Sequence, residues 1–402
     1  MKILMIGNGF DLAHGLRTGY KDFMSFLEFV CDVDRKIKSK NGSVMDWNDD
    51  NAKVSVILEP YKKAYRLGRK GGFKTSERTF YKLLLKETEK FFRNWEKSKI
   101  SILDNLWFIH FKARKAELKE RNKWIDFEAE ICDVIKEVDN CYDEEADYIK
   151  LKTSSTILFE IIKAFEGFEG GRNAASGVKG SKYENLKETL LKDLNGLTNL
   201  FEMYLNCIVS EQSTRIVSPD IAGDTINAVI SFNYTDNFVR HYEINNPKGK
   251  EVTDYVDYIH GEARKRGECN PEENTMILGI DDYLDENECD INTTFIRFKK
   301  YFQRIHKKTG NKYKNWLEER SITDEHDLYI FGHSLGMSDR DIIKELIIRE
   351  RVKTTIYYHN DESYAEKIEN LVKIIGKDEL IRKVANEDIV FKEQMIMEMN
   401  RC

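Results

Sequence analysis

The sequence predicts an α/β protein: a Rossmann-like, mostly parallel sheet with helices on both faces, split by a large helical insertion domain. Three observations predict it. The chain opens on a short apolar run, Ile3 to Ile6, that stops at Gly7-Asn8-Gly9, the pattern of a buried parallel strand entering a tight turn. Strand-like runs then disappear between about Met45 and Pro219. From Ile226 they return as short β-branched and aromatic runs alternating with helical patterns, as in a doubly wound sheet. The first strand has no parallel partner nearby and must join the later ones. Residues 46–219 are therefore expected to form an insertion between the two parts, 1–45 and 220–402, of one nucleotide-binding domain.

Taken in order, Phe10 to His14 suits a helix start, with Asp11 able to cap or sit in its first turn. Strand, glycine turn and helix together aim backbone N–H groups at an anion or a ribose. The fingerprint G-x-G-x-x-G is incomplete, because Leu12 holds the third glycine position. A carboxylate at Asp11 also argues against a plain phosphate cradle, so a βα turn without a ligand stays open. Tyr20 to Ile37 carries Phe23, Phe26, Leu27, Val30 and Val33 at helical spacing and reads as a helix on the sheet.

The insertion reads as several long antiparallel helices: Val54 to Tyr65, Glu77 to Lys97, Ile125 to Val138, Ile149 to Phe165 and Tyr183 to Val209. Pro60 is the only proline before Pro219, so little interrupts them. Gly167 to Ser181 has five glycines and reads as a loop or lid. Tyr61 to Lys74 interleaves aromatics with basic residues; flanking acids favour a solvated helix face over a nucleic-acid patch. Asp126 and Glu128, two apart, point to different helix faces and are not a paired acid/base site.

The later strands are Ile226 to Phe232, Tyr255 to Ile259, Met276 to Ile280, Leu328 to Phe331 and Thr354 to Tyr358, with helices over Ile291 to Lys307, Arg340 to Arg351 and Ser363 to Ile375. Ligands of such sheets sit at the carboxyl ends of the strands. Those ends read Gly7-Asn8-Gly9-Phe10-Asp11, Asn233-Tyr234-Thr235-Asp236, His260-Gly261-Glu262, Gly279 with Asp281-Asp282, Gly332 through Asp339, and His359-Asn360-Asp361. Each alone is ordinary turn chemistry. Together at one sheet edge they suggest a nucleotide-sized polar cleft.

Gly332-His333-Ser334-Leu335-Gly336 also matches G-x-S-x-G, the nucleophile elbow of α/β-hydrolases, with Ser334 as nucleophile. Chain order counts against it, since His359 is the only later histidine, and the next helix cap falls late, at Ser338 or Asp339. No metal site is expected: the histidines include no H-x-x-x-H pair and the seven cysteines no C-x-x-C pair. Scattered cysteines suit reduced thiols in a cytoplasm. A formal charge of −6 in 402 residues does not mark a nucleic-acid binder. No apolar run approaches a membrane span and the N-terminus lacks a signal peptide's apolar stretch.

GNGFDLAHGL-x-T-x-YKDF, FNYT, IHG, LGIDD and FGHSLG-x-x-D resemble the AbiH family of bacterial abortive-infection proteins, with Arg17 where that pattern usually has proline. More distantly the chain resembles sirtuin-type NAD+-consuming defence domains. Asn8 and Asp11 depart from the sirtuin turn, and no zinc module is present, which removes protein deacetylation. The likeness implies an anti-phage effector hydrolysing NAD+ to nicotinamide and ADP-ribose. Asn233 and His260 would be catalytic, and Gly7, Asn8, Gly9, Phe10, Asp11, Gly332, His333, Ser334 and Asp339 would hold NAD+ or a related nucleotide. NAD+ would be the substrate, with no cofactor required; a phage-derived trigger and a homo-oligomer stay open. The chemistry suits those residue types. An Asn amide offers one donor and one acceptor to a ribose hydroxyl or a water, and a histidine can take the water's proton. The competing readings are a defence protein that binds a nucleotide or nucleic acid without turnover, and the serine hydrolase.

Overall fold

The structure, a computed structural model, describes residues 1–41, 102–120, 127–143, 148–150, 161, 169–171, 174–179, 183–210, 212, 216–223, 225–244, 252–263, 273–280, 295–318 and 325–399. The expected helices at Val54 to Tyr65 and Glu77 to Lys97, the basic tract Tyr61 to Lys74, Asp126, and Asp281-Asp282 lie outside the described residues. The chain divides into two compact units. The first holds Met1–Thr18, Ser213–Ala263 and Thr275–Cys402; the second holds Gly19–Gln212 and Arg264–Asn274.

The first unit is built on six strands: β1 (Lys2–Ile6), β2 (Ala228–Ser231), β3 (Val256–Tyr258), β4 (His326–Phe331), β5 (Val352–Tyr358) and β6 (Ile389–Glu393). Their order is β3-β2-β1-β4-β5-β6, and every neighbouring pair is parallel. This is the doubly wound Rossmann order, whose switch point lies between the first and fourth strands. β1 is central, with Met5 opposite Ile230 on one side and Ile330 on the other. From Ile3 to Ile6 it is apolar and buried because both faces are covered. Ile3 and Met5 pack with Ile342, Ile343, Leu346, Leu371 and Ile374 of the helices Arg340–Ile348 and Asp361–Ile375. Leu4 and Ile6 pack with Phe10, Ile221, Phe238 and Phe331 on the opposite face.

One expectation fails here and one strand goes unannounced, each for a physical reason. Met276 to Ile280 is not a strand of this sheet. It runs extended with Met276, Ile277, Leu278 and Ile280 buried, donates from Ile277 N to His260 O at 2.8 Å, and makes one isolated bridge, Ile280 to Lys299. An apolar run reports burial, and burial does not require strand pairing. Conversely, β6 gives little signal: as an edge strand it leaves Val390, Lys392 and Glu393 exposed, so it lacks the apolar run of a central strand.

In the second unit the helices Tyr20–Asn41, Leu106–Glu120, Phe127–Cys141 and Tyr183–Tyr204 are described, the last running on as a π-helix over Leu205–Val209. The first of these, expected on the sheet, belongs to this unit. Its Tyr20 stacks on Phe127 at 4.3 Å and its Phe23 lies 4.7 Å from Phe201. Asn105 caps the next helix, accepting from Phe108 N at 3.0 Å. The unit also contains a four-stranded antiparallel sheet of Tyr142–Asp143, Tyr148–Lys150, Ala174–Lys179 and Glu169–Gly171. Gly167 to Ser181, read as a loop or lid, thus holds two paired strands, and the helix expected from Ile149 begins as a strand. Glycine-rich sequence is permissive, and pairing partners decide its state. Among the described residues no helix is long and apolar enough to cross a membrane.

The switch point is closed by the backbone itself. Gly9 N donates to Gly332 O at 2.7 Å and Gly7 N to Phe331 O at 3.2 Å. A Cβ on Gly332, whose φ is +67°, would sit 2.1 Å from Phe10 N. Gly332→Ala therefore combines left-handed strain of about 1–2 kcal/mol with a backbone overlap that forces the two turns apart. It should lower the unfolding temperature by at least about 2–8 °C. Gly223→Ala, where a Cβ meets nothing within 4 Å, should leave it unchanged. Thermal unfolding followed by circular dichroism checks both, and an unchanged Gly332→Ala would remove the lock from this description.

Candidate functional site

The carboxyl ends of β1 to β4 form the richest polar cluster of the first unit. At its centre is Asp339, buried just before the helix Arg340–Ile348. Its Oδ1 accepts from His260 Nε2 at 2.8 Å and from Lys300 Nζ at 3.2 Å. Its Oδ2 lies 3.6 Å from His333 Nε2 and accepts from Ser338 Oγ at 3.4 Å. Burial alone would push this carboxyl up. The charges of Lys300 and His260 and the hydrogen bonds from His260 and His333 outweigh it and hold the carboxyl well below the usual carboxylate range. An ionised carboxylate only accepts, so His260 donates to it through Nε2, which turns Nδ1 away from Asp339.

His333 is fixed as well. Leu335 N donates to its Nδ1 at 2.9 Å, which puts the ring proton on Nε2, facing Asp339. Burial pushes the His333 pKa down, so the ring is neutral. Phe232, one residue past β2, packs edge-on against both His260 and His333 at 5.3 and 4.4 Å. Lys367 Nζ donates to His333 O at 2.6 Å and Asn370 Nδ2 to Ser334 O at 3.0 Å. The helix Asp361–Ile375 thereby pins the β4 turn.

A second polar group gathers on Asp11, which is 1% exposed. Thr235 Oγ1 donates to its Oδ2 at 2.7 Å and Asn237 Nδ2 to its Oδ1 at 3.0 Å. Burial pushes the Asp11 pKa up to about 7; hydrogen bonds from Thr235 and Asn237 oppose this, while the charge of Asp236 adds to it. Asn233 lies beside it, its amide close enough to help hold the carboxylate's charge. Its backbone is tied to Ser231 Oγ. Yet the buried amide oxygen and nitrogen of Asn233 make no hydrogen bond of normal geometry. An amide left unpaired in this way costs about 1–3 kcal/mol, so it is poised for a group supplied from outside.

The remaining residues of the expected nucleotide contact divide clearly. Gly7 and Gly9 do not face a ligand with free space: their backbone N–H groups are used by β4 and its turn. Cβ atoms there would strike His333 Cα and Gly332 O, both at 2.7 Å. These glycines let two turns touch. Phe10 is a core side chain, packed on His14, Phe331, Phe238 and Tyr242. Asn8 is exposed and accepts from Thr18 Oγ1 at 2.6 Å. Ser334 is exposed, and Leu335 rather than Ser334 holds the left-handed conformation, φ +57°. The α-helix starts six residues later, at Arg340, so the strained strand-to-helix elbow of a serine hydrolase is not built here. His14 is a structural histidine: its Nδ1 bonds Phe10 O at 2.7 Å and its Nε2 bonds Tyr242 Oη at 2.7 Å.

Lys300, Lys367 and Asn237 are the members that sequence reasoning missed, and Thr235 enters it only as part of the β2 end. Nothing local marks Lys300 or Lys367 as buried, since each sits in an ordinary charged helical pattern. Thr235 and Asn237 sit on either side of the last residue quoted for the β2 turn, and an Asp facing them from β1 is visible only once β1 and β2 are paired.

The Asp11 cluster makes a signed prediction. A carboxyl whose folded pKa is about 7, against 3.8 unfolded, favours folding fully below pH 3.8 and loses that contribution as pH rises through 7. Asp11→Asn keeps the shape and can still bond Asn237 and Thr235 but cannot ionise. Between pH 4 and pH 8 its unfolding free energy should improve relative to the parent by on the order of 4 kcal/mol. Denaturant unfolding at the two pH values checks this; an unchanged difference would mean Asp11 is not held in a charge-averse site.

In comparisons with known proteins, a family model described as bacteriophage abortive infection AbiH matches residues 3–360. No curated protein and no solved structure matches. The matched span contains β1 through β5 and therefore Asp11, Asn233, His260 and Asp339. This chain belongs to the AbiH family of bacteriophage abortive-infection proteins, and its role is anti-phage defence.

Proposed function

We propose that the protein aborts infection by hydrolysing NAD+ to nicotinamide and ADP-ribose at the edge formed by β2, β3 and β4. The observation that carries this reading is the buried, unpaired amide of Asn233 on the same sheet edge as the His260–Asp339 pair. In the reaction a water oxygen bonds to C1′ of the nicotinamide ribose while the C1′–N bond breaks. Its electron pair leaves with neutral nicotinamide. His260 Nδ1 takes the water's proton, and ionised Asp339 holds the ring and balances the imidazolium that forms. Asn233 orients the water or a ribose hydroxyl through one donor and one acceptor. The transition state is oxocarbenium-like, so positioning and a dry polar wall supply most of what the protein must add. The motifs resembling sirtuin-type domains, at Asn233, His260 and Gly332 to Asp339, support NAD+ as the nucleotide. The closed glycine turn means that the dinucleotide lies away from Gly7 and Gly9, toward β2 and β3.

The test is made in cells and in the tube. In infected cells expressing the protein, NAD+ should fall and nicotinamide rise, and purified active protein should release nicotinamide. Asn233→Ala and His260→Gln should each lower the rate 10²–10⁴-fold, with Asp339→Asn in the same range and Ser334→Ala near the parent. Circular dichroism confirms that each variant is folded. Infection aborted with the NAD+ pool unchanged would overturn the hydrolytic reading and leave a defence protein that binds without turnover. Full activity in both Asn233→Ala and His260→Gln would overturn the residue roles.

A further inference from the structure

Asn237, which the hydrolytic step leaves unused, is 2% exposed. Its Nδ2 donates to Asp11 Oδ1 at 3.0 Å. With its nitrogen on the Asp11 carboxyl, the amide turns its oxygen away from Asp11. Asn237 Oδ1 is therefore held as an acceptor, and it is buried and unpaired. Asn233 Oδ1 and Nδ2, four residues earlier, are buried and make no hydrogen bond of normal geometry, although the amide lies beside Asp11. Thr235, between them, is fully used on Asp11 Oδ2. One carboxylate thus organises a turn that leaves two acceptors and one amide donor unmatched. Native interiors seldom leave such groups without a partner.

The chemistry of the partner follows from the set. A phosphate or carboxylate brings only acceptors and would face Asp11 and two amide oxygens. An apolar group would leave all three atoms unpaired. Two adjacent hydroxyls match, because each can donate to an amide oxygen while one also accepts from the Asn233 amide. We propose that Asn233 and Asn237, oriented by Asp11, form a subsite for the vicinal hydroxyls of a ribose and select ribonucleotides over 2′-deoxyribonucleotides. This rests on the nucleotide-hydrolase reading above and adds its substrate class. The position agrees with the fold: ligands of such sheets bind outside the carboxyl ends of the strands, and Asn233 lies two residues past β2.

The experiment compares NAD+ with its analogue lacking the 2′-hydroxyl of the nicotinamide ribose. Binding is measured by calorimetry on the full chain carrying His260→Gln, so that turnover does not consume the ligand. The expected result is NAD+ binding at least about tenfold tighter, the effect of one well-made hydrogen bond. Asn237→Ala added to that chain should bring the two ligands within about twofold, by weakening NAD+ while leaving the analogue unchanged. A general loss of structure would weaken both. Equal binding of the two ligands before Asn237 is changed overturns the subsite, whether or not Asn237→Ala folds, and assigns the three atoms to ordered water. Discrimination that survives in Asn237→Ala overturns the role of Asn237 while the hydrolase reading stands. Binding of neither ligand overturns both.

Discussion

A single buried carboxylate, Asp339, organises the candidate site. It draws together His260 from the end of β3, Lys300 from the helix Lys300–Lys307 and His333 from the β4 turn. In water such contacts would be worth little. With Lys300 and Asp339 both almost fully buried, each partner depends on the others, because removing one leaves charge unpaired in a place where desolvation is severe. The arrangement decides more than stability. An ionised Asp339 dictates that His260 donates through Nε2, and so it determines which way the ring faces. The neutral His333, fixed by Leu335 N and facing the other carboxylate oxygen, adds a donor without adding charge.

The second constraint is the contact between the β1 and β4 turns. In a Rossmann order the switch point is where a ligand ordinarily enters. Here Gly7, Gly9 and Gly332 bring backbone against backbone, and two amide donors that such a turn offers to phosphate are used within the protein. Buried side-chain polar atoms without a partner lie one strand over, at Asn233 and Asn237. The fold thereby separates two jobs that the glycine motif suggested were one. Glycines at β1 close the sheet edge, and amides at β2 face what binds.

Much of this was legible in the sequence because it is written in residues with strong local meaning. Ile3 to Ile6 ending at Gly7 marks a central strand, and the runs at Ile226, Tyr255, Leu328 and Thr354 lie on sheet strands. Asp11, Asn233, His260, His333 and Asp339 stood out as polar residues just past strands. Their pairings did not, since Asp339 meets His260 across 79 residues and Asn237 meets Asp11 across 226. Strand order determines such contacts, and one sequence does not reveal it. Asp339 reads as a nucleotide contact until His260 is seen bonded to it. Gly9 reads as a phosphate cradle until Gly332 O is seen against it. The errors at Met276 to Ile280 and Gly167 to Ser181 have the same root. Composition reports what a segment tolerates, and its neighbours decide what it becomes.

The central claim is that ionised Asp339 sets the protonation pattern of the two histidines around it. Residue-resolved ¹⁵N spectra of the imidazole rings at neutral pH, assigned with His260→Gln and His333→Gln, test it most directly. The account predicts that His333 is neutral with its proton on Nε2 and an unprotonated Nδ1. It predicts Nε2–H for His260 as well, with this pattern lost in Asp339→Asn. A His260 Nε2 without a proton, or a pattern indifferent to Asp339→Asn, would contradict it.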